Sequence, residues 1–468
     1  MVQSSLIRNF GHNIKLKPSA YYEPRTEGDI LDILNRHSGE QFRAIGSLHS
    51  WSAAPVCDGV VICLKHLQTC NFHGNESGLV TVGAGCQIKT LIEYLRQHGQ
   101  TLPSVGLITE QTIAGAISTG THGSGRHSLS HYVDAVRLAR FDAETGKAII
   151  EQIDGGDILR AARCSLGCLG VILEVRMRCR SLYNIEEHWQ EYADVDAVLA
   201  AEKSYPLQQF FLVPWRWTFL AQHRQESQKR RSTLASLYRV YWFLFIDLGM
   251  HLLLILATRW LASTSLVKFL FRSVIPKAVI RGWKVTDESS AMLVMEHELF
   301  RHIETEIFVQ ARYLPAALEH VRKVLTVAAD IPETQNSRST VTIAETEALD
   351  ALRGTYCHHY PICVRRVLAD DTFISMAAGE GTFWYAISLI SYARTTERQG
   401  FQLVASYLTK TMADKFQARP HWGKWCPLQP RHLVSLYPHF QAFREACQSR
   451  DPAGVFRNSW FSSLMDGE

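Results

Sequence analysis

Residues 41–50 read Gln41-Phe42-Arg43-Ala44-Ile45-Gly46-Ser47-Leu48-His49-Ser50. The apolar approach (Phe42, Ala44, Ile45) predicts a strand, and Gly46-Ser47 predicts that it ends in a tight turn of small residues. With no bulky side chain in the way, backbone N–H groups there can converge on an anion, the outline of a phosphate cradle. By itself such a turn has a plainer use, reversing the chain. Its meaning depends on what the rest of the sequence supplies.

A second stretch supplies it. Residues 102–125 carry Gly106, Gly115, Gly120, Gly123 and Gly125 in a segment almost free of charge, with Ser118, Thr119 and His122 between them. Each glycine loses more backbone entropy on folding than another residue would, so five are a costly way to make turns alone. The run suits a backbone laid along a large flat ligand. Together the two stretches resemble the FAD-binding domain of the vanillyl-alcohol-oxidase fold and, within it, the aldonolactone and alditol oxidases, the group that includes D-arabinono-1,4-lactone and L-gulonolactone oxidases. The resemblance implies an α+β chain with a two-subdomain FAD-binding domain and an α+β substrate-binding domain. It implies FAD bonded covalently through His49, with the turn of Arg43, Ala44, Ile45, Gly46, Ser47, Leu48 and Ser50 around the pyrophosphate. Further cofactor contacts are expected from Gly106, Gly115, Ser118, Thr119, Gly120, His122 and Gly123, and from Gly170, Val171 and Ile172 near the adenine half.

Composition sets the outer bounds. The 468 residues are 46% hydrophobic and 20% charged, an ordinary globular balance with enough chain for two cores. A net charge of +4 and the absence of a basic stripe with interleaved aromatics set nucleic acid aside as a partner. Eleven cysteines show no metal-like spacing and read as reduced, intracellular thiols; no metal is expected. The first thirty residues contain no apolar run of the secretory type.

In chain order, Thr26 reads as the N-cap of a helix through Ile30, Ile33 and Leu34, ahead of the decisive turn. Residues 59–64 and 78–85 read as strands and 88–98 as an amphipathic helix; further strands are expected at 133–140, 148–153 and 170–177. The pattern changes near Leu182. We expect an FAD-binding domain over 1–181, a substrate-binding domain over 182–418 with an apolar helical insert at 232–275, and a segment, 419–468, that returns to the flavin.

Residues 237–262 are the most apolar stretch. Asp247 near its middle would cost about 2.5–3.5 kcal/mol in a bilayer centre, and Arg239, His251 and Arg259 interrupt it as well. We place a buried helical pair first, a helix lying on a membrane surface second and a true span third.

For chemistry, oxidation of an alcohol by a flavin needs the carbon held at the flavin, a group to receive the hydroxyl proton, and positive charge for the reduced ring. Residues 360–375 resemble the family strand that reads Pro-x-Glu-x-Arg: Arg365 falls on the arginine, but Cys363 stands where the glutamate belongs. Arg419-Pro420-His421-Trp422-Gly423-Lys424 resembles the family's Pro-His-Trp-x-Lys segment, and Glu306 on the alternating 303–309 strand matches its substrate-domain glutamate. Arg365, Lys424, His421 and Glu306 are therefore the expected catalytic residues. Paired Asp370 and Asp371 read as a turn after a strand. Gly106, by resemblance, leaves O2 a path to the flavin. The expected activity is an oxidase that passes hydride from a sugar lactone, alditol or related alcohol to FAD and reduces O2 to H2O2. Cys363 and the apolar insert leave two alternatives: an oxidase or dehydrogenase of a hydrophobic or lipid-linked alcohol, and a non-catalytic, membrane-associated flavoprotein.

Overall fold

Phe42–Ile45 is a strand, lying parallel to Val60–Cys63 in a three-stranded sheet that Ala20–Tyr22 completes. In this computed structural model the described residues are 6–295, 299–330, 343–379, 381, 383–392 and 397–466. The helix Glu27–Arg36 begins in a capping box: Asp29 N–H donates to Thr26 Oγ1 at 3.1 Å, and Thr26 N–H donates to the Asp29 carboxylate at 2.9 Å. That satisfies two helix-end groups and fixes where the helix starts. Beside this layer, an antiparallel sheet runs in the order Ala148–Ile153, Val133–Phe141, Val171–Arg178, Leu79–Gly83, Cys70–Phe72. Helix Ile88–Gln97 buries Ile88, Leu91, Ile92 and Leu95 beside it, the stripe its spacing predicts.

Asn184 opens a second architecture. An antiparallel sheet of eight strands runs Val285–Glu288, Asn184–Tyr192, Phe219–Ser227, Gln209–Leu212, Ile362–Leu368, Phe383–Tyr392, His302–Gln310, Arg419–Pro420. Its register sets polar residues side by side on one face: Gln222, Gln209 and Arg365 form one cross-strand row, and Cys363, Ser388 and Glu306 form the next. Helices Leu314–Ala328 and Glu397–Phe416 pack on each other and contribute Leu318, Val321, Leu325, Val404 and Leu408 to the core of this part.

After Pro420 the chain returns to the first part. Phe42 N–H donates to Val455 O at 2.7 Å and Asn458 Nδ2 donates to Ala53 O at 2.9 Å. Phe440, Phe443, Phe456 and Phe461 join the core of the parallel layer.

The expected burial of 237–262 is corrected. A helical pair exists, Ala235–Trp260 followed by turns of helix from Thr264 to Ala278, but only 11% of the most apolar 18-residue window of the first helix is buried. The sheet offers one stripe of contact, which Leu254, Ala257, Val267 and Phe271 fill, while His251 Nδ1 lies 3.0 Å from Tyr392 Oη. Leu237, Val240, Leu244, Phe245, Leu252, Leu253, Leu256 and Trp260 are left on the outside, Trp260 at 80% exposure.

Candidate active site

One cavity is bounded by the 43–51 turn, the glycine-rich 106–122 segment and the polar face of the eight-stranded sheet. The turn is held from two sides. Trp51 N–H donates to Gly423 O at 2.8 Å and Ser50 Oγ to the same carbonyl at 3.1 Å, so the C-terminal Pro420–Lys424 segment staples it. On the other side a Cβ built on Gly46 would lie 2.0 Å from Thr112 Oγ1, a contact that no larger residue could make without displacing the threonine. Leu48 sits in the left-handed region at φ 55°, turning His49 into the cavity.

Ala44, Ile45, Gly46, Ser47, Leu48, His49, Ser50, Gly106, Gly115, Ser118, Thr119, His122, Gly170 and Ile172 all line this cavity. Arg43 does too, but its guanidinium is engaged: Nη1 donates to Phe456 O at 2.8 Å and Nη2 to Leu166 O at 2.7 Å. Its place is behind the turn, tying it to two distant segments. Three residues expected to contact the cofactor do not line this cavity. Gly120 lies away from the cavity against Met376, 2.8 Å from a built Cβ, and Gly123 permits close approach to Val105 O at 2.6 Å. Val171 begins the strand Val171–Arg178 and is buried in the core.

At the sheet end, Glu306 receives Ser388 Oγ–H at 2.6 Å on one oxygen, while the other lies 3.3 Å from His122 Nε2 and 3.9 Å from His421 Nε2. Burial acts to raise the pKa of this carboxyl, but the facing His122, with Lys424 and His421, outweighs it and holds the group well below its usual range. His122 has Gly123 O 3.0 Å from Nδ1 and Glu306 beyond Nε2. Both partners are acceptors, one facing each ring nitrogen. His421 differs: Gly423 N–H donates to its Nδ1 at 2.9 Å, and burial brings its pKa down to about 3, so it is a neutral ring with its proton on Nε2. These three residues place ligand-type atoms within 4.8 Å of one another. The His421 tautomer, however, puts a proton where a metal would need a lone pair, and the cluster reads as a charge pair with a neutral donor.

Lys424, expected to supply positive charge, is paired with Glu304 and stacked over the Trp51 ring at 4.6 Å. Arg365 Nε donates to Gln209 Oε1 at 3.0 Å, an uncharged partner, and Gln209 Nε2 donates to Gln222 Oε1 at 2.6 Å. Cys363 lies behind it, 3.9 Å from the same Gln209 oxygen, with burial pushing its thiol up to about 11. It is a neutral, inert side chain where a carboxylate was expected. Asp370 braces its turn, accepting from Ser128 Oγ, Ser375 Oγ and Thr372 N–H.

Sequence reasoning missed Glu304, His302, Thr112, Leu166, Gly167, Met295 and Ile390, which also line the cavity. Glu304 was within reach: it is two residues from Glu306 on a strand, hence on the same face. The others are supplied by tertiary packing.

Residues 175–464 match the D-arabinono-1,4-lactone oxidase family, and residues 18–149 match an FAD binding domain. The chain belongs to the D-arabinono-1,4-lactone oxidase family. It is 52% identical to a long-chain alcohol oxidase of an uncultured marine euryarchaeote, over all of this chain and 98% of that one. It is 24% identical to the mouse (Mus musculus) L-gulonolactone oxidase, over 98% of each. A solvent-stable cholesterol oxidase shares its fold, with a TM-score of 0.75 at 14% identity over 98% of this chain and 97% of that one. As a member of this family the chain is an FAD-dependent oxidase acting on CH–OH groups, with O2 as the electron acceptor. The lining fits FAD: the cavity takes in the small-residue turn at Gly46–Ser47, then Gly115, Ser118 and Thr119, then Leu166 and Gly167.

Proposed function

We propose that this enzyme oxidises long-chain primary alcohols to aldehydes. The observation that carries it is the apolar part of the cavity lining, Leu107, Ile108, Met295 and Ile390: Met295 N–H donates to Leu107 O at 2.9 Å, and Ile390 is directly opposite Glu304 in the sheet register. An alkyl chain leaves water there while its hydroxyl reaches Glu306, and Cys363 adds no charge beside it. The similarity to a long-chain alcohol oxidase supports the same reading.

FAD, when bound in this cavity, would supply the hydride acceptor and the route for electrons to O2. The chain's part is positioning and proton transfer. As hydrogen leaves the carbon, the hydroxyl proton becomes strongly acidic, and the Glu306 carboxylate takes it although it is a weak base. Arg365, anchored by Gln209, offers positive charge where negative charge grows. His49 tethers the flavin through a ring nitrogen.

A chain-length series is the test. Each buried methylene is worth about 0.8 kcal/mol, so kcat/KM is expected to rise about fourfold per CH2 until the apolar end is filled. A flat series, with turnover of aldonolactones or alditols instead, would overturn it. That second reading draws on the polar side chains at the sheet end of the cavity, Glu304, Glu306, Arg365 and Lys424, which offer hydrogen bonds to several hydroxyls.

The exposed helical face fits a lipid surface as the source of such a substrate. Between residues 229 and 284 there are ten Lys or Arg and one acidic residue, Asp247, flanking the outward Leu237, Phe245, Leu252 and Trp260. Apolar insertion with a basic border is how interfacial helices bind anionic lipid. The purified enzyme is expected to sediment with phosphatidylcholine–phosphatidylglycerol vesicles, less so at high salt, and Phe245→Ser with Trp260→Ser should abolish this without loss of turnover on a detergent-solubilised alcohol. Recovery of the wild type entirely in the supernatant would refute the contact.

A further inference from the structure

Cys70 and Cys86 lie outside the cavity and take no part in the reaction described above. Their sulfurs are 3.6 Å apart. Cys70 begins the edge strand Cys70–Phe72 and is half-buried, whereas Cys86, just before helix Ile88–Gln97, is fully buried. We propose that this pair is a dithiol site that hydrogen peroxide, the product of the enzyme's own turnover, converts to a disulfide.

The geometry separates an attacking sulfur from a resolving one. Cys70 is the less buried of the two residues. The hydrogen bond between the two thiols favours ionisation of Cys70 and opposes that of Cys86, an effect that burial of Cys86 reinforces. In the first step the Cys70 thiolate attacks one peroxide oxygen; the O–O bond breaks, a sulfenic acid forms and the other oxygen leaves as water after taking a proton. In the second, the Cys86 sulfur attacks Cys70, the S–S bond forms, the S–O bond breaks, and the departing hydroxide takes the Cys86 proton as a second water. Two thiols are oxidised by two electrons and one peroxide is reduced. Closing from 3.6 Å to a bond of about 2.05 Å asks for a local adjustment, which an edge strand paired on one side only can make.

Cys86 also stands next to the cofactor cradle. Gln87 follows it and donates to Glu110 O at 3.0 Å and Ser47 Oγ at 3.4 Å, and Cys86 O accepts from Ile113 N–H. The molecule carries its own comparison. Cys168 and Cys447 are also hydrogen-bonded, but both are buried, so a reaction governed by access should leave them reduced.

The test uses the FAD-loaded enzyme turning over an alcohol in air, with and without catalase, followed by thiol alkylation and non-reducing peptide mass spectrometry. A second arm adds hydrogen peroxide to the resting enzyme. The expected result is a Cys70–Cys86 linked peptide, 2 Da lighter than the sum of its parts, at least tenfold more abundant without catalase and also formed by added peroxide. In Cys86→Ser the link should vanish and a Cys70 sulfenic acid should be trapped by dimedone. Absence of the link in both arms would overturn the site, as would prior linkage of Cys168 to Cys447. A link from added peroxide alone would overturn the role of the enzyme's product while leaving the oxidase reading intact.

Discussion

Glu306→Gln lowers kcat/KM by about 10²- to 10⁴-fold while the protein keeps its full complement of flavin. The two halves of that expectation have separate causes. On the proposed reading the flavin would be held by the 44–50 turn and the 111–119 segment, which are not among the hydrogen-bond partners of Glu306, so absorbance per protein should not change. Proton removal is different. Glutamine preserves the bond to Ser388 and the volume of the site but cannot receive a proton. It also turns an NH2 donor toward His122 Nε2, where the carboxylate presented an acceptor. Loss of the carboxylate should appear in kcat more than in KM. The pH dependence follows from the directions of the shifts. A carboxyl whose folded pKa lies below the usual value stays ionised until the pH falls through that lower value, and His421 stays neutral down to about 3. The acid limb of wild-type kcat/KM is therefore expected below pH 4.5. A loss smaller than tenfold, or an acid limb near pH 6, would remove Glu306 from the proton-transfer role.

Much of this site could be read from the chain, because its parts are local. The Gly46-Ser47 turn after an apolar strand, the glycine-rich 106–123 run and the alternation of 303–309 are all short-range patterns, and the two strands predicted among them are present. What could not be read are relations across the chain. Glu306 and His122 are 184 positions apart, and only the fold shows that they touch. Lys424 looked like the positive charge for the reduced flavin until its partner Glu304 was in view. Glycine misled in a particular way: Gly120 and Gly123 are small so that protein can approach protein, and composition does not distinguish that from room for a ligand. The apolar stretch misled for a related reason. Hydropathy reports how much a helix would gain by leaving water, not how much neighbouring surface is there to receive it, and the sheet receives one stripe of a 26-residue helix.

His49→Ala is expected to leave a protein that binds FAD but releases it on denaturation, so that a denaturing gel shows a fluorescent wild-type band and a dark mutant band. The ring is prepared to act as a nucleophile. It is packed against Phe10, centroids 5.1 Å apart and planes 19° from parallel, and burial brings its pKa down to about 4 despite the opposing pull of Glu110. At neutral pH the imidazole is therefore uncharged and keeps a lone pair on one nitrogen, which an imidazolium would lack. Its direction is fixed as well, since Leu48 turns the backbone and Ser50 and Trp51 are pinned to Gly423. Removing the ring leaves Gly46, Thr112 and the 115–119 backbone unchanged, and these are the contacts proposed for the rest of the dinucleotide. Affinity should fall and activity should become dependent on added FAD. Fluorescence retained in the mutant band would place the bond on another residue, and a wild-type band without fluorescence would mean that His49 packs against the flavin and does not bond to it.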